Sequence, residues 1–214
     1  MADGFIATGG INPNNDQVSS SVEVFSYKYG WNLEPRLNMS SAKYGHCSIT
    51  IGSWLYTIGG LVFGTKTTSH IANLVEAIDI TVESGATWIR KADMLETRYV
   101  PGCHLGVFEG QEGIYVAGGH NDNDPYLSSA EFYDPVLDIW QEIASMTTRR
   151  GFSSMTILGR DLIVSGGLGD GYDYLSSVEI WNGTKWVELD DQRLEMGRTY
   201  NAAVSIKAGV LSCI

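Results

Sequence analysis

The sequence predicts an all-β fold in which one four-stranded module is used about four times. Three observations carry that prediction. Gly-Gly pairs recur at Gly9/Gly10, Gly59/Gly60, Gly118/Gly119 and Gly166/Gly167, spaced by 50, 59 and 48 residues. Each pair closes a short apolar run (FIAT, WLYTI, IYVA, LIVS) and is followed in the same order by three landmarks. These are a Glu in apolar context (Glu23, Glu76, Glu131, Glu179), a tryptophan (Trp31, Trp88, Trp140, Trp186) and a cation shortly before an aromatic (Lys43–Tyr44, Arg98–Tyr99, Arg150–Phe152, Arg198–Tyr200). No window sustains a helical apolar period, whereas the 25 glycines sit between segments rich in β-branched and aromatic residues.

The third unit shows how the strands are read. HLGVF gives the first strand, GIYVAGG the second, SSAEFYD the third and DIWQEI the fourth, with Gly, Asn and Asp at the breaks. The same reading divides residues 1–214 into units of about 1–40, 41–95, 96–147, 148–195 and a partial one over 196–214. The second unit carries two insertions, FGTKTTSHIAN and TVESGA. A sheet of about 50 residues cannot bury both of its faces, so it must stack on copies of itself. Radial stacking makes a β-propeller. Residues 1–10 begin at a second strand, and RTYNAAVSIKAGVLSCI supplies a first strand and most of a second. The expectation is therefore an incomplete, open propeller of about four blades.

The stretch EFYDPVLDIW (Glu131–Trp140), preceded by IYVAGG, resembles a kelch repeat, and the other units resemble it with weaker spelling. The Asp-Pro pair of that stretch occurs only at Asp134–Pro135. The resemblance spans nearly the whole chain. It implies a kelch-type β-propeller with more blades than are found here, and a protein-interaction role. Kelch propellers often serve as substrate-recognition modules of ubiquitin ligase adaptors, beside BTB and BACK domains, or as actin-associated modules. Neither a BTB nor a BACK segment is present in the sequence, so such a role is implied only for a longer parent.

Landmarks that recur in every unit belong to the scaffold, because a catalytic group is needed once. The double glycine allows positive φ and close backbone approach. Each Trp is expected to wedge between blades; burying roughly 150–250 Å² of ring contributes up to about 4–6 kcal/mol. The four Glu are expected to accept loop hydrogen bonds rather than to do acid–base work.

Composition narrows the function classes. With 14 Lys+Arg against 25 Asp+Glu the formal charge is −11, and no basic cluster exists to bind phosphate, so nucleic acid is excluded as a partner. An acidic surface favours basic partners or solubility. No apolar run approaches the ~18–20 residues of a membrane span. MADGFIATGG lacks a basic start and a long apolar centre, which leaves the compartment open with a lean to the cytoplasm. Cys47, Cys103 and Cys213 are too few, and odd in number, for a disulfide framework. The His46–Cys47 and Cys103–His104 neighbours fit small buried thiols and packed histidines better than a metal site, since adjacent strand residues point to opposite faces. HNDNDP (120–125) lacks the closing acid of a calcium loop and reads as a solvated turn. GGLGDG (166–171) precedes a strand, not a helix, and so cannot cradle phosphate. No cofactor and no metal is implied.

What remains is surface. In a propeller, the loops between second and third strands and those between units emerge on one face. The former vary from unit to unit and include Lys66, His120, Asp122, Tyr172 and Tyr174; the latter carry Tyr44, Arg98, Tyr99, Arg149, Arg150, Phe152, Arg198 and Tyr200. Tyr and Arg are the side chains that dominate protein interfaces. These residues, less Lys66, are the candidate partner-binding set, with Arg98, Tyr99, Arg150 and Tyr172 expected together on one exposed face. The function predicted is non-enzymatic binding of a partner protein. The rival readings are a carbohydrate-active enzyme or an oxidase on the same fold, or an extracellular kelch protein, for which the sequons at Asn38 and Asn182 would gain meaning.

Overall fold

A computed structural model of the chain describes residues 4–64 and 68–206. Lys66, Cys213 and the terminal VLSCI lie outside the described residues. The fold is all-β, a kelch-type set of antiparallel propeller blades. The chain divides into two compact units, Met1–Val100 and Pro101–Ile214.

In the second unit two blades are complete. Blade 3 is a meander of Gly102–Phe108, Gln111–Ala117, Ala130–Asp134 and Ile139–Ile143, and blade 4 a meander of Ser154–Leu158, Asp161–Ser165, Val178–Trp181 and Trp186–Glu188. Phe132, Tyr115 and Met146 from blade 3 pack against Leu162, Val164, Trp181 and Trp186 from blade 4 in one buried cluster. Trp186 is 4% exposed within that cluster, as a wedge between sheets requires, and Trp140 is 7% exposed and lies against Tyr133 at 5.0 Å.

In the first unit, blade 2 has Cys47–Ile51, Trp54–Ile58, Val75–Asp79 and Ile89–Arg90 in meander order. Blade 1 has three strands, Gly4–Thr8, Val22–Ser26 and Gly30–Leu33. At the FGTKTTSHIAN insertion, Leu61–Phe63 and Ser69–Ile71 pair with each other; Leu61–Phe63 also pairs with Ala42–Tyr44. Trp88 packs with Val22, Leu37, Met39, Leu55 and Ile78, and its indole N–H reaches the Asn38 carbonyl at 2.9 Å.

Trp31 departs from the wedge expectation. It is 55% exposed and touches Phe25, at 5.4 Å between ring centroids. Trp186 and Trp88 each pack in a cluster that includes residues of the preceding blade, and blade 1 has no such neighbour among the described residues. The partial fifth unit also differs: residues 201–206 carry no strand. A first strand forms only against a second, and theirs is not among the described residues. The sulfurs of Cys47 and Cys103 are both disulfide-bonded, which corrects the expectation of free thiols.

The modules join in one way throughout. The first glycine of each pair donates to the carbonyl two residues before the unit's Glu: Gly9 to Ser21, Gly59 to Leu74, Gly118 to Ser129 and Gly166 to Ser177. The second donates to the carbonyl of the cation: Gly10 to Lys43, Gly60 to Arg98, Gly119 to Arg150 and Gly167 to Arg198, all at 2.8–3.0 Å. A Cβ on Gly118 would stand 2.3 Å from the Arg150 carbonyl oxygen, and Gly118 also has φ of 66°, so both shape and space demand glycine.

Candidate partner-binding face

The cation's side chain reaches past its own carbonyl contact into the next module. Lys43 is fully buried and bonds Glu76 at 2.9 Å and Thr57 at 3.2 Å; Ser40 also donates to Glu76. Arg150 is fully buried and donates to Gly166 O at 2.8 Å, to the Ser177 carbonyl at 3.3 Å and its Oγ at 3.0 Å, and to Glu179 at 2.8 Å. Glu179 takes two further bonds, from the backbone N–H groups of Thr147 and Thr148. Burying a guanidinium and a carboxylate is costly unless every donor and lone pair is met, and this arrangement comes close. Glu76 and Glu179 therefore hold loops and cations together. Glu23 does not share the role and is exposed.

Arg98 and Arg150 are thus not on an exposed face. Arg98 has no exposed surface and pairs with Glu96 at 3.1 Å, and Arg150 is the joint just described. The reason is physical: these recurrent cations satisfy buried carboxylates and carbonyls, which no solvent-facing side chain does.

The remaining candidates fall into two groups, one in each compact unit. In the first, Tyr44 lies edge-on to Tyr99 at 5.5 Å and 6.0 Å from Phe63, all partly buried. In the second, three loops meet. Arg149 pairs with Asp124 at 2.5 Å and Asp170 at 3.5 Å, bridging the 120–125 loop to the 169–173 turn. Tyr126 lies edge-on to Tyr172 at 6.1 Å, and Phe152 packs on Tyr200 at 4.4 Å. The Tyr126 hydroxyl titrates above its ordinary value. Burial is the first cause, and negative charge at Tyr172, Tyr200 and Asp170 opposes its ionisation further. Tyr172, Tyr174 and Tyr200 are 75%, 66% and 73% exposed, while Asp122 and Arg198 are exposed and His120 is half-buried. His120 Nδ1 lies 3.0 Å from the Pro125 carbonyl, which ties the loop's ends together.

The 120–125 loop is tied up by its own side chains. The Asn121 side-chain oxygen accepts from the N–H groups of Asn123 and Asp124, and Asp124 is held by Arg149. No metal-holding group of three His, Cys, Asp or Glu occurs among the described residues. Asp124, Asp170 and Tyr126 complete the face. The sequence signal for the two acids was their place beside an arginine in adjoining loops. Tyr126 carried none.

One backbone feature recurs unseen in the composition. Two residues after each cation the chain enters the left-handed region, at Gly45 (φ 62°), Val100 (48°), Phe152 (57°) and Tyr200 (52°). Val100 N–H bonds the Gly45 carbonyl at 2.7 Å and Tyr200 N–H bonds the Phe152 carbonyl at 3.1 Å. Non-glycine residues in this conformation mark sites where surrounding contacts override local preference. Here they set the places of Phe152 and Tyr200.

Comparison with known proteins agrees with this geometry. Residues 101–147, which hold all of blade 3, match the Kelch motif. Beta-scruin of Limulus polyphemus is 34% identical over 143 residues, covering 65% of this chain and 14% of its own length. Spermatocyte protein spe-26 of Caenorhabditis elegans is 26% identical over 181 residues, 84% of this chain and 29% of that protein. Kelch-like protein 36 of Rattus norvegicus is 40% identical over 67 residues, 31% of this chain and 10% of that protein. The chain carries a kelch motif and is similar to kelch-repeat proteins. It spans less than a third of the length of each of these curated relatives. The similarity to kelch-repeat proteins supports a protein-interaction module, and no helix among the described residues is long and apolar enough to cross a membrane.

Proposed function

We propose that the chain is a non-enzymatic kelch module that binds a partner protein through the loop face of its second unit. The observation that carries the reading is the trio of exposed tyrosines, Tyr172, Tyr174 and Tyr200, beside Arg149 held between Asp124 and Asp170. Large amphipathic side chains on a braced platform offer contact area at small entropic cost. His120, Asp122, Phe152 and Arg198 are further candidates in that unit, and Tyr44 and Tyr99 form a separate candidate group in the first unit. The net charge of −11 favours a partner with a basic surface.

Within that class, presenting substrates to a ubiquitin ligase or associating with actin are roles that a longer parent would give the module. Co-sedimentation with filamentous actin separates the second from the first. The face itself is tested with a photo-crosslinking amino acid placed at Tyr172, and, as a control, at Val107, which is exposed beside the Phe108–Gln111 hairpin of blade 3. The reading predicts that one protein is crosslinked from Tyr172 and not from Val107. The combined substitutions Tyr172→Ala and Tyr200→Ala are expected to weaken its binding by about 2 kcal/mol or more. Crosslinking only from Val107, or undiminished binding by the double variant, contradicts it.

A further inference from the structure

Tyr126 differs from the other tyrosines of the loop face. Its side chain is buried, 4% exposed, and its ring lies edge-on to Tyr172 at 6.1 Å. A Cβ on Gly151 would stand 3.2 Å from the same ring, so the backbone between blades 3 and 4 packs close against it. The hydroxyl makes no hydrogen bond among the described residues and is not sealed from solvent. A buried phenol normally gives its hydroxyl a partner. Here the ring is seated and the polar end is left open, which makes it available to a ligand.

What the hydroxyl faces defines that ligand. After burial, negative charge at Tyr172, Tyr200 and Asp170 opposes its ionisation, so three phenol oxygens and one carboxylate bear on the same space. Asp170 and Tyr172 belong to one turn, Asp170–Tyr172, and Arg149 steadies it through Asp170 at 3.5 Å. Arg149 also holds Asp124. The two loops it bridges carry four carboxylates, Asp122, Asp124, Asp170 and Asp173, against that one guanidinium and His120, whose Nδ1 lies against the Pro125 carbonyl. Asp122 and Asp173 are exposed and form no ion pair among the described residues.

These groups share one preference. Aromatic faces and carboxylates both attract positive charge, and phenol oxygens accept from its N–H groups. An acidic segment would meet the four carboxylates. An apolar side chain would leave the Tyr126 hydroxyl and Asp170 covered without partners, which is costly.

We propose that this space receives a cationic side chain, an arginine or a lysine, projecting from a basic segment of the partner protein. The proposal rests on the reading that the loops of the second unit bind protein, and it names the group they recognise. The Tyr126 hydroxyl and the Asp170 carboxylate accept hydrogen bonds from the cation, and the Tyr172 ring lies beside it. Tyr126 is fixed by its burial, so this contact is made without ordering a mobile side chain.

The test titrates the 214-residue chain, with carbon-13 in its tyrosine rings, and follows the ring signals by nuclear magnetic resonance. The probes are short Gly-Ser peptides with a central arginine, citrulline or glutamate; citrulline keeps the size of arginine and removes its charge. The arginine peptide is expected to shift the Tyr126 and Tyr172 signals to saturation, and the citrulline peptide to bind about 10-fold more weakly or worse. Asp170→Asn and Tyr126→Phe are expected to weaken the arginine peptide by about 5-fold and about 3-fold, with the circular dichroism of the chain unchanged. Equal response to arginine and citrulline, a response to glutamate, or no ring shift with any peptide would each overturn the proposal. A protein crosslinked from Tyr172 without ring shifts removes the cation site and leaves the binding face. Ring shifts without a crosslinked protein keep the cation site and remove the partner-protein reading.

Discussion

His46 stands beside Lys43, with its Nε2 2.8 Å from the Thr8 hydroxyl and its Nδ1 buried without a partner. Burial, and then the charge on Lys43, lower its pKa from 6.5 to about 4. The folded state thus holds His46 neutral where an unfolded chain would bind a proton. Stability from this residue is complete above about pH 6.5 and is lost as pH falls toward 4, by on the order of 2–3 kcal/mol. Urea unfolding at stepwise pH is expected to show that slope, and His46→Gln to flatten it. An unchanged slope in the variant contradicts the assignment. The same neighbourhood illustrates what single residues revealed and what they hid. The recurrence of Lys43, Arg98, Arg150 and Arg198 was plain in the sequence, and so was the recurrence of the four Glu. Their pairing was not, because the partners are far apart in sequence: Lys43 with Glu76 and Arg150 with Glu179 are 33 and 29 residues apart. A cation beside an aromatic therefore looked like an interface residue, when Arg98 and Arg150 are interior.

At the scale of strands and sheets, the double glycines located the second strands and the Glu and Trp the third and fourth. All of this was legible because period-2 alternation and turn residues repeat. Two features were not. A buried side chain four residues before each of three cations, Met39, Met94 and Met146, packs beside the first glycine of its own unit, yet isolated methionines give no periodic signal. The left-handed residue two past each cation is glycine only at Gly45, so Val100, Phe152 and Tyr200 concealed it. The tryptophans provide the element-scale prediction. Trp186→Ala is expected to cost about 3–5 kcal/mol, as for large core rings. Trp31→Ala, at the bare side of blade 1, is expected to cost less than about 1 kcal/mol. Equal losses in denaturant midpoint would contradict the exposed placement of Trp31.

For the molecule as a whole, the loops bearing Tyr172 and Tyr174 vary from unit to unit while the double-glycine backbone joints recur, and on the proposed function that contrast divides binding surface from scaffold. Fold and family were legible because the repeat wrote them several times over. The candidate face was only half legible, because it is assembled from loops that are apart in sequence, as when Arg149 holds both Asp124 and Asp170. The account rests on buried cations that plug one blade into the next, Lys43 into blade 2 and Arg150 into blade 4. The most direct test is a double-mutant cycle on Arg150 and Glu179, read by equilibrium urea unfolding of Arg150→Met, Glu179→Gln and the pair together. Each single change leaves buried polar groups unpaired and is expected to cost about 3–5 kcal/mol, with a coupling between the sites of about 2 kcal/mol or more. Strictly additive losses would contradict the plug-and-socket account.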